Sequence, residues 1–220
     1  DKISPDTANV RFKNVKQFVS RGGLKLKHAI DKFQLDLSNQ VMLDIGSSTG
    51  GFTDCALQHG AKLVYAVDVG TNQLDYKLRI DERVKVMEQT NFKDTVLENF
   101  ELLPDIISID VSFTSIVPIL RHIKSLFAQP IQIAALIKPQ FESYLEEREE
   151  SGIITNPDTH YKVIQRVLKE ADDLKLQVSA IERSPITGTK GNVEYLFFIT
   201  NTHETKYALT DKDINTVVYG

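Results

Sequence analysis

Four charged residues lie in short blocks that read as strand ends or helix approaches: Lys25 in Ser20–Leu26, Asp110 in Ile109–Phe113, Lys138 in Leu136–Glu142 and Glu194 in Gly191–Tyr195. In an open α/β sheet the carboxyl ends of the parallel strands border the ligand crevice, so groups placed this way can converge. Two amines and two carboxylates brought together could take a proton from a poor nucleophile and stabilise the charge developing on it. A lone Lys or Glu is usually a member of a surface ion pair. The set of four, each in a strand-end or helix-approach block, is what points to chemistry.

A second feature supplies a ligand for that crevice. Val41–Phe52 (VMLDIGSSTGGF) reads as a strand, a glycine-rich turn and a helix start. Glycines belong there because the chain turns sharply and a ligand must approach the backbone. The spacing is D-x-G-x-x-x-G, not the G-x-G-x-x-G of dinucleotide binders, whose pyrophosphate needs a helix N-terminus. S-adenosylmethionine (SAM) has no phosphate and carries an amino-acid tail and a sulfonium. Asp44 can serve its amino group or a water beside it, and Gly46 and Gly50 leave room. Asp68, at the end of the second strand, suits ribose hydroxyls, and Asn91 lies beyond the third. The candidate cofactor residues are Asp44, Gly46, Ser47, Ser48, Gly50, Phe52, Asp68, Asn91 and Asp110.

The elements that must position these residues are short apolar runs alternating with helical patterns, the mark of βα units. Strands are expected at Val41–Ile45, Lys62–Val67, Val84–Met87, Ile106–Ile109, Ile131–Ile137, Leu176–Ile181 and Val193–Thr200. Helices are expected from Ser115 to Phe127 and from Pro157 to Ala171, the second capped by Asn156. Lys25 is placed just before a helix that leads to the first strand. The expected fold class is α/β, a Rossmann-like SAM-dependent methyltransferase fold with a mostly parallel seven-stranded sheet and an antiparallel last strand. That last strand would bring its start, and Glu194, to the crevice.

Composition narrows the class. A length of 220 residues suits one domain, and 41% hydrophobic with 25% charged residues is ordinary for a soluble globular protein. No apolar run approaches the roughly 20 residues of a membrane-spanning helix. The single cysteine, Cys55, excludes an intramolecular disulfide, and the five histidines lack metal-ligand spacing, so no metal is expected. The cytoplasm is the default location. The net charge of −4 is uneven: residues 1–32 carry eight Lys and Arg against three Asp, while acid gathers at Glu142–Glu150. The basic segment suits phosphate contact. The acidic one reads as a mobile loop beside the crevice.

The blocks S-R-G-G-L-K-L at 20–26, D-I-G-S-S-T-G-G-F at 44–52, D-V-S-F at 110–113, I-K-P-Q-F-E at 137–142 and G-N-V-E-Y at 191–195 follow one another between about Val19 and Thr200. With them the sequence resembles the TlyA (haemolysin A) family of rRNA methyltransferases, itself similar to the FtsJ-like ribose 2′-O-methyltransferases. The resemblance implies a Lys-Asp-Lys-Glu tetrad of Lys25, Asp110, Lys138 and Glu194. It also implies SAM as methyl donor, ribosomal RNA in the ribosomal subunits as partner, and cytidine 2′-hydroxyls as acceptors. An S4-like RNA-binding domain would precede this region; residues 1–18 read as the linker or irregular arm after it. Residues 19–201 then form the methyltransferase domain, and 202–220 a polar tail that packs as a small appendage or frays.

Lys138 is the expected general base. A free lysine, with a pKa near ~10.4, is protonated at neutral pH, so a role in steering the hydroxyl and stabilising alkoxide charge stays open. Arg21 and Lys27 are expected to hold RNA phosphates beside Lys25. Phe113 and Phe141 are expected either to stack on a base or to join the core. A small-molecule O-methyltransferase would need a metal site or a His base in the crevice, and a membrane-active haemolysin an amphipathic or apolar segment. Neither signal is evident, and the glycine spacing disfavours a NAD-dependent oxidoreductase. There is no nucleophilic Cys near the fourth or sixth strand and no Pro-Pro-aromatic run after Asp110, which favours ribose over base.

Overall fold

The computed structural model describes residues 16–202 and 209–220. One sheet holds seven strands: β1 Val41–Ile45, β2 Leu63–Val67, β3 Val84–Met87, β4 Ile106–Ile109, β5 Gln132–Ile137, β6 Gln177–Arg183 and β7 Tyr195–Thr200. Their order is β3-β2-β1-β4-β5-β7-β6. The helices are α1 Gly23–Phe33, α2 Gly51–Gln58, α3 Tyr76–Arg79, α4 Val117–Leu126, α5 Pro139–Glu142, α6 Pro157–Asp173 and α7 Asp211–Tyr219. The first five strands pair in parallel, and β7 enters antiparallel between β5 and β6. The fold is thus the expected Rossmann-like α/β class with its antiparallel last strand.

Central strands are buried on both faces, which is why β1 and β5 read as nearly continuous apolar runs. Alternate residues serve different cores. Val41, Leu43 and Ile45 join a core with Ile119, Leu120 and Ile123 of α4 and Val163, Ile164 and Val167 of α6. Met42 points the other way, to Leu26, Ala29 and Ile30 of α1 and Cys55 and Ala56 of α2. α6 begins as expected: the Asn156 side chain accepts from the Asp158 N–H, and Pro157 occupies the first turn.

Two expectations are corrected. Lys25 lies inside α1 rather than before it; the helix starts at Gly23 with Gly22 as an N-cap that supplies no side-chain bond, so the sequence carries no start signal. The acidic run is tied down at three points instead of standing free. Glu142 Oε1 accepts from the Ile116 N–H at the start of α4, Glu147 pairs with Arg166, and Glu149 accepts from Thr155. Burial pushes the Glu142 carboxyl up from its usual range. In the tail, residues 209–220 take the packed one of the two expected alternatives: Thr210 and Asp213 form a capping box, and Ile214 and Val218 of α7 are buried beside α6 and β6. Residues 203–208 of the tail and 1–15 of the proposed linker lie outside the described residues. The end of that linker is docked, with Phe18 buried and the Val19 N–H donating to Asp54 Oδ2.

Candidate active site

Strand order sets site order. Along the carboxyl edge of the sheet come Asp68 after β2, Gly46 after β1, Asp110 after β4, Lys138 after β5 and Glu194 just before the antiparallel β7. A ligand crevice at this edge is what open α/β topology provides. Two cavities occupy it, of about 510 and 460 Å³, and they share Ser112 and Phe113.

The first cavity is lined by Gly46, Ser48, Asp68, Asn91, Asp110 and Phe113, among others. Gly46 has φ of +85°, and a Cβ there would stand 2.2 Å from the Asp110 carbonyl oxygen, so only glycine lets β1 turn this close to β4. The Ser48 N–H donates to Asp68 Oδ2 at 2.8 Å and the Gly70 N–H to Oδ1 at 2.7 Å, which fixes the carboxylate at the rim with lone pairs to spare. The Asn91 side chain accepts from the Lys93 N–H and lines the same wall.

Four other cofactor candidates do not line this cavity. Asp44 is fully buried behind the turn, accepting from Thr53 Oγ1 at 2.7 Å and Ser108 Oγ at 3.0 Å. Burial pushes its carboxyl up to about 7; the two hydroxyl donors oppose that, and the charges of Asp110 and Asp68 add to it. Ser47 is buried with its Oγ unpartnered, and Gly50 shapes the turn at φ of +103°. Phe52 is corrected from ligand contact to core: it is 4% exposed and packs beside Gly22, joining α2 to the start of α1. Gln73 and Thr90 line the cavity without any sequence signal beyond their loop positions. The size, the fixed carboxylate, the orphaned Ser47 hydroxyl and the buried acid suit a nucleoside bearing a cationic tail, as SAM does.

The second cavity is bordered by Lys138, Gln140, Phe141, Arg148, Lys190 and Glu194. Lys138 Nζ stands 2.7 Å from Asp110 Oδ1 and 3.2 Å from Ser112 Oγ, so this ion pair links the two cavities. Lys25 Nζ reaches across from α1 to Glu194 Oε2 at 2.5 Å. The backbone loop over Glu194 is possible because residue 188 is glycine; a Cβ there would stand 2.0 Å from Glu194 Oε1. The four residues therefore form two adjacent Lys–carboxylate pairs. Sequence reasoning missed Gln140, Arg148 and Lys190, whose types alone carry no signal.

The expected RNA contacts divide. Phe113 is 90% exposed, at φ of +64°, with its ring centroid 5.1 Å from that of Phe141, so the two rings stand at the mouth and not in the core. Arg21 is exposed on the turn before α1. Lys27 is not beside Lys25: two residues along a helix lie about 200° apart, and its Nζ pairs with Asp31 at 2.5 Å. Cys55 is buried, which pushes its thiol up to about 12, the behaviour of a packing residue. Among the described residues no cluster of three or more His, Cys, Asp or Glu could hold a metal, and no helix is long and apolar enough to cross a membrane.

Lys25 and Glu194, with side chains 9% and 2% exposed, neutralise each other out of water. Lys25→Met alone should strand the Glu194 charge and cost about 3 kcal/mol, while Lys25→Met with Glu194→Leu should recover most of that loss. Urea denaturation measures both, and a double variant less stable than either single one would contradict the pairing.

The chain matches the FtsJ-like methyltransferase family over residues 18–200. It is 44% identical to the Bacillus subtilis protein YqxC, named as a candidate rRNA methyltransferase, across 90% of this chain and 71% of that one. It is 34% identical to the 16S/23S rRNA (cytidine-2′-O)-methyltransferase TlyA of Mycobacterium tuberculosis, across 92% of this chain and 75% of that one. A solved structure described as a candidate hemolysin, from Lactococcus lactis, superposes with a TM-score of 0.87 at 48% identity, covering 93% of this chain and 98% of its own. With the fold and the crevice as described, the chain belongs to the FtsJ-like methyltransferase family.

Proposed function

We propose that this chain transfers the methyl group of SAM to the 2′-hydroxyl of a cytidine in ribosomal RNA. The observation that carries the reading is the Asp110–Lys138 pair, which bridges a nucleoside-sized cavity and a second cavity with a cationic, aromatic wall. The name of the Mycobacterium tuberculosis relative specifies cytidine 2′-O-methylation of rRNA and supplies the acceptor. A ribosomal substrate supports a cytoplasmic reaction.

SAM supplies an electrophilic methyl carbon and leaves as a neutral thioether. Gly46 and Asp68 hold the nucleoside end of the first cavity. Phe113 and Phe141 offer aromatic faces to an unstacked base, and Arg148 and Lys190 offer charge to its phosphates. The acceptor hydroxyl sits against Lys138 and Asp110. As its oxygen bonds to the methyl carbon, its proton passes to the Lys138–Asp110 pair, whose amine and carboxylate are already in contact. The Lys25–Glu194 pair stands behind, fixing the floor of the cavity and keeping its local charge balanced. Alignment of hydroxyl and methyl by these walls supplies a large share of the acceleration.

Lys138→Ala should lower methyl transfer to ribosomal subunits by about 100-fold or more, with SAM affinity unchanged. Tritium transfer and calorimetry read the two quantities, and normal turnover in that variant removes Lys138 from the mechanism. Asp44 makes a second prediction. Its carboxyl titrates near pH 7 without ligand, and a cationic ligand next door favours the ionised form. Binding then releases a proton below that pH, so SAM affinity should rise with pH up to about 7 and level off above it. Calorimetric affinities from pH 5.5 to 8.5 should show this slope, and Asp44→Asn should flatten it; equal slopes in both proteins would refute the linkage.

A further inference from the structure

We propose that Gln140 reads the acceptor base, its Oε1 accepting a hydrogen bond from the exocyclic amine of cytosine. The proposal rests on the rRNA-methylation reading above and assigns one of its specificity contacts.

Two side-chain amides line the acceptor cavity, and only one is used by the protein. Asn192 is committed: its Oδ1 accepts from the Ile154 N–H, and its Nδ2 donates to the Gly152 and Thr189 carbonyls. Gln140 is 8% exposed, yet its Oε1 is buried with no hydrogen-bond partner among the described residues. A buried acceptor left unsatisfied is costly and uncommon in native proteins. Because Gln140 lines the cavity, a turn of its side-chain amide toward the opening lets a ligand's donor satisfy this atom. The backbone beneath it is held in place, because Phe141 and Glu142 both donate their N–H groups to the Lys138 carbonyl in the single turn of α5.

Position selects which donor arrives. Lys138, two residues earlier, stands where the reacting hydroxyl must be, so Gln140, which lines the same cavity, lies beside the remainder of that nucleotide. The Ser112 hydroxyl is taken up by Lys138 Nζ, and Arg148 and Lys190 are cations that suit phosphates. Of the neutral groups on this wall, Gln140 Oε1 is the one buried without a partner, and it is assigned to the base. Cytosine presents an amine donor at position 4 where uracil presents a carbonyl acceptor, so an acceptor at this point separates the two pyrimidines.

The test is kcat/KM for tritiated methyl transfer to unmodified ribosomal subunits, and to the same subunits with the methylated cytidine replaced by uridine. Wild-type protein should prefer cytidine by about tenfold or more. Gln140→Met, similar in length but without the acceptor, should lose that preference through a slower cytidine reaction. Gln140→Glu, which keeps an acceptor, should retain it. SAM affinity should stay at the wild-type value in both variants, and both should still melt cooperatively as folded proteins. A cytidine preference unchanged in Gln140→Met, or lost in Gln140→Glu, would overturn the assignment and leave Gln140 a wall residue. No methyl transfer by wild-type protein to any ribosomal RNA would instead overturn the reading beneath it, and the assignment with it.

Discussion

Lys25 and Glu194 can be buried only because each neutralises the other, and much of the architecture around the crevice follows from keeping them 2.5 Å apart. α1 must lie against the sheet so that its first turn delivers an amine to the carboxyl edge. β7 must run antiparallel, since a parallel β7 would carry its start to the opposite edge. Residue 188 must lack a side chain, because the carboxylate fills the space that side chain would take. Beside this pair sits a second, Asp110–Lys138, built from two parallel strands instead of a helix and a strand. Charge is thus balanced within each pair, and neither leaves a bare buried ion.

The order β3-β2-β1-β4-β5-β7-β6 sets the order of the candidate site residues along the sheet edge. The first cavity is walled by residues after β2, β1 and β3, the bridging carboxylate comes from β4, and the second cavity is walled by residues at the ends of β5 and β7. On the proposed function, transfer takes place where the two cavities meet, at Ser112 and Phe113, with the Asp110–Lys138 pair reaching from one to the other. Gly46 holds β1 and β4 close enough for that junction, so it acts on both cavities though it lines only one.

Features governed by local periodicity were legible in the sequence. Val41–Ile45, Val84–Met87 and Ile106–Ile109 are strands with the bounds that their apolar runs suggest, and the Asn156–Pro157 cap marks the start of α6. Glu194 could be placed because an antiparallel last strand fixes which edge its start occupies. What was not legible depends on packing between distant segments. Phe52 follows the glycine turn as a ligand residue would, yet helix geometry turns it toward Gly22. Lys27 is near Lys25 in sequence and on another side of the helix. Nothing in the acidic run says that Glu142 will cap α4 or that Glu147 will meet Arg166, because those partners lie 26 and 19 residues away. Gln140 stands in a conspicuous block, but its meaning lies in an unpartnered atom, which no sequence displays.

The central claim is that the two ion pairs direct the methyl group to a ribose oxygen and not to a base. Alkaline hydrolysis tests it most directly, since strand cleavage needs a free 2′-hydroxyl and a 2′-O-methyl group blocks it. Ribosomal RNA labelled by this protein with tritiated SAM should, after alkali, retain its label in a stable dinucleotide. Label recovered in a mononucleotide would place the methyl group on a base and contradict the claim.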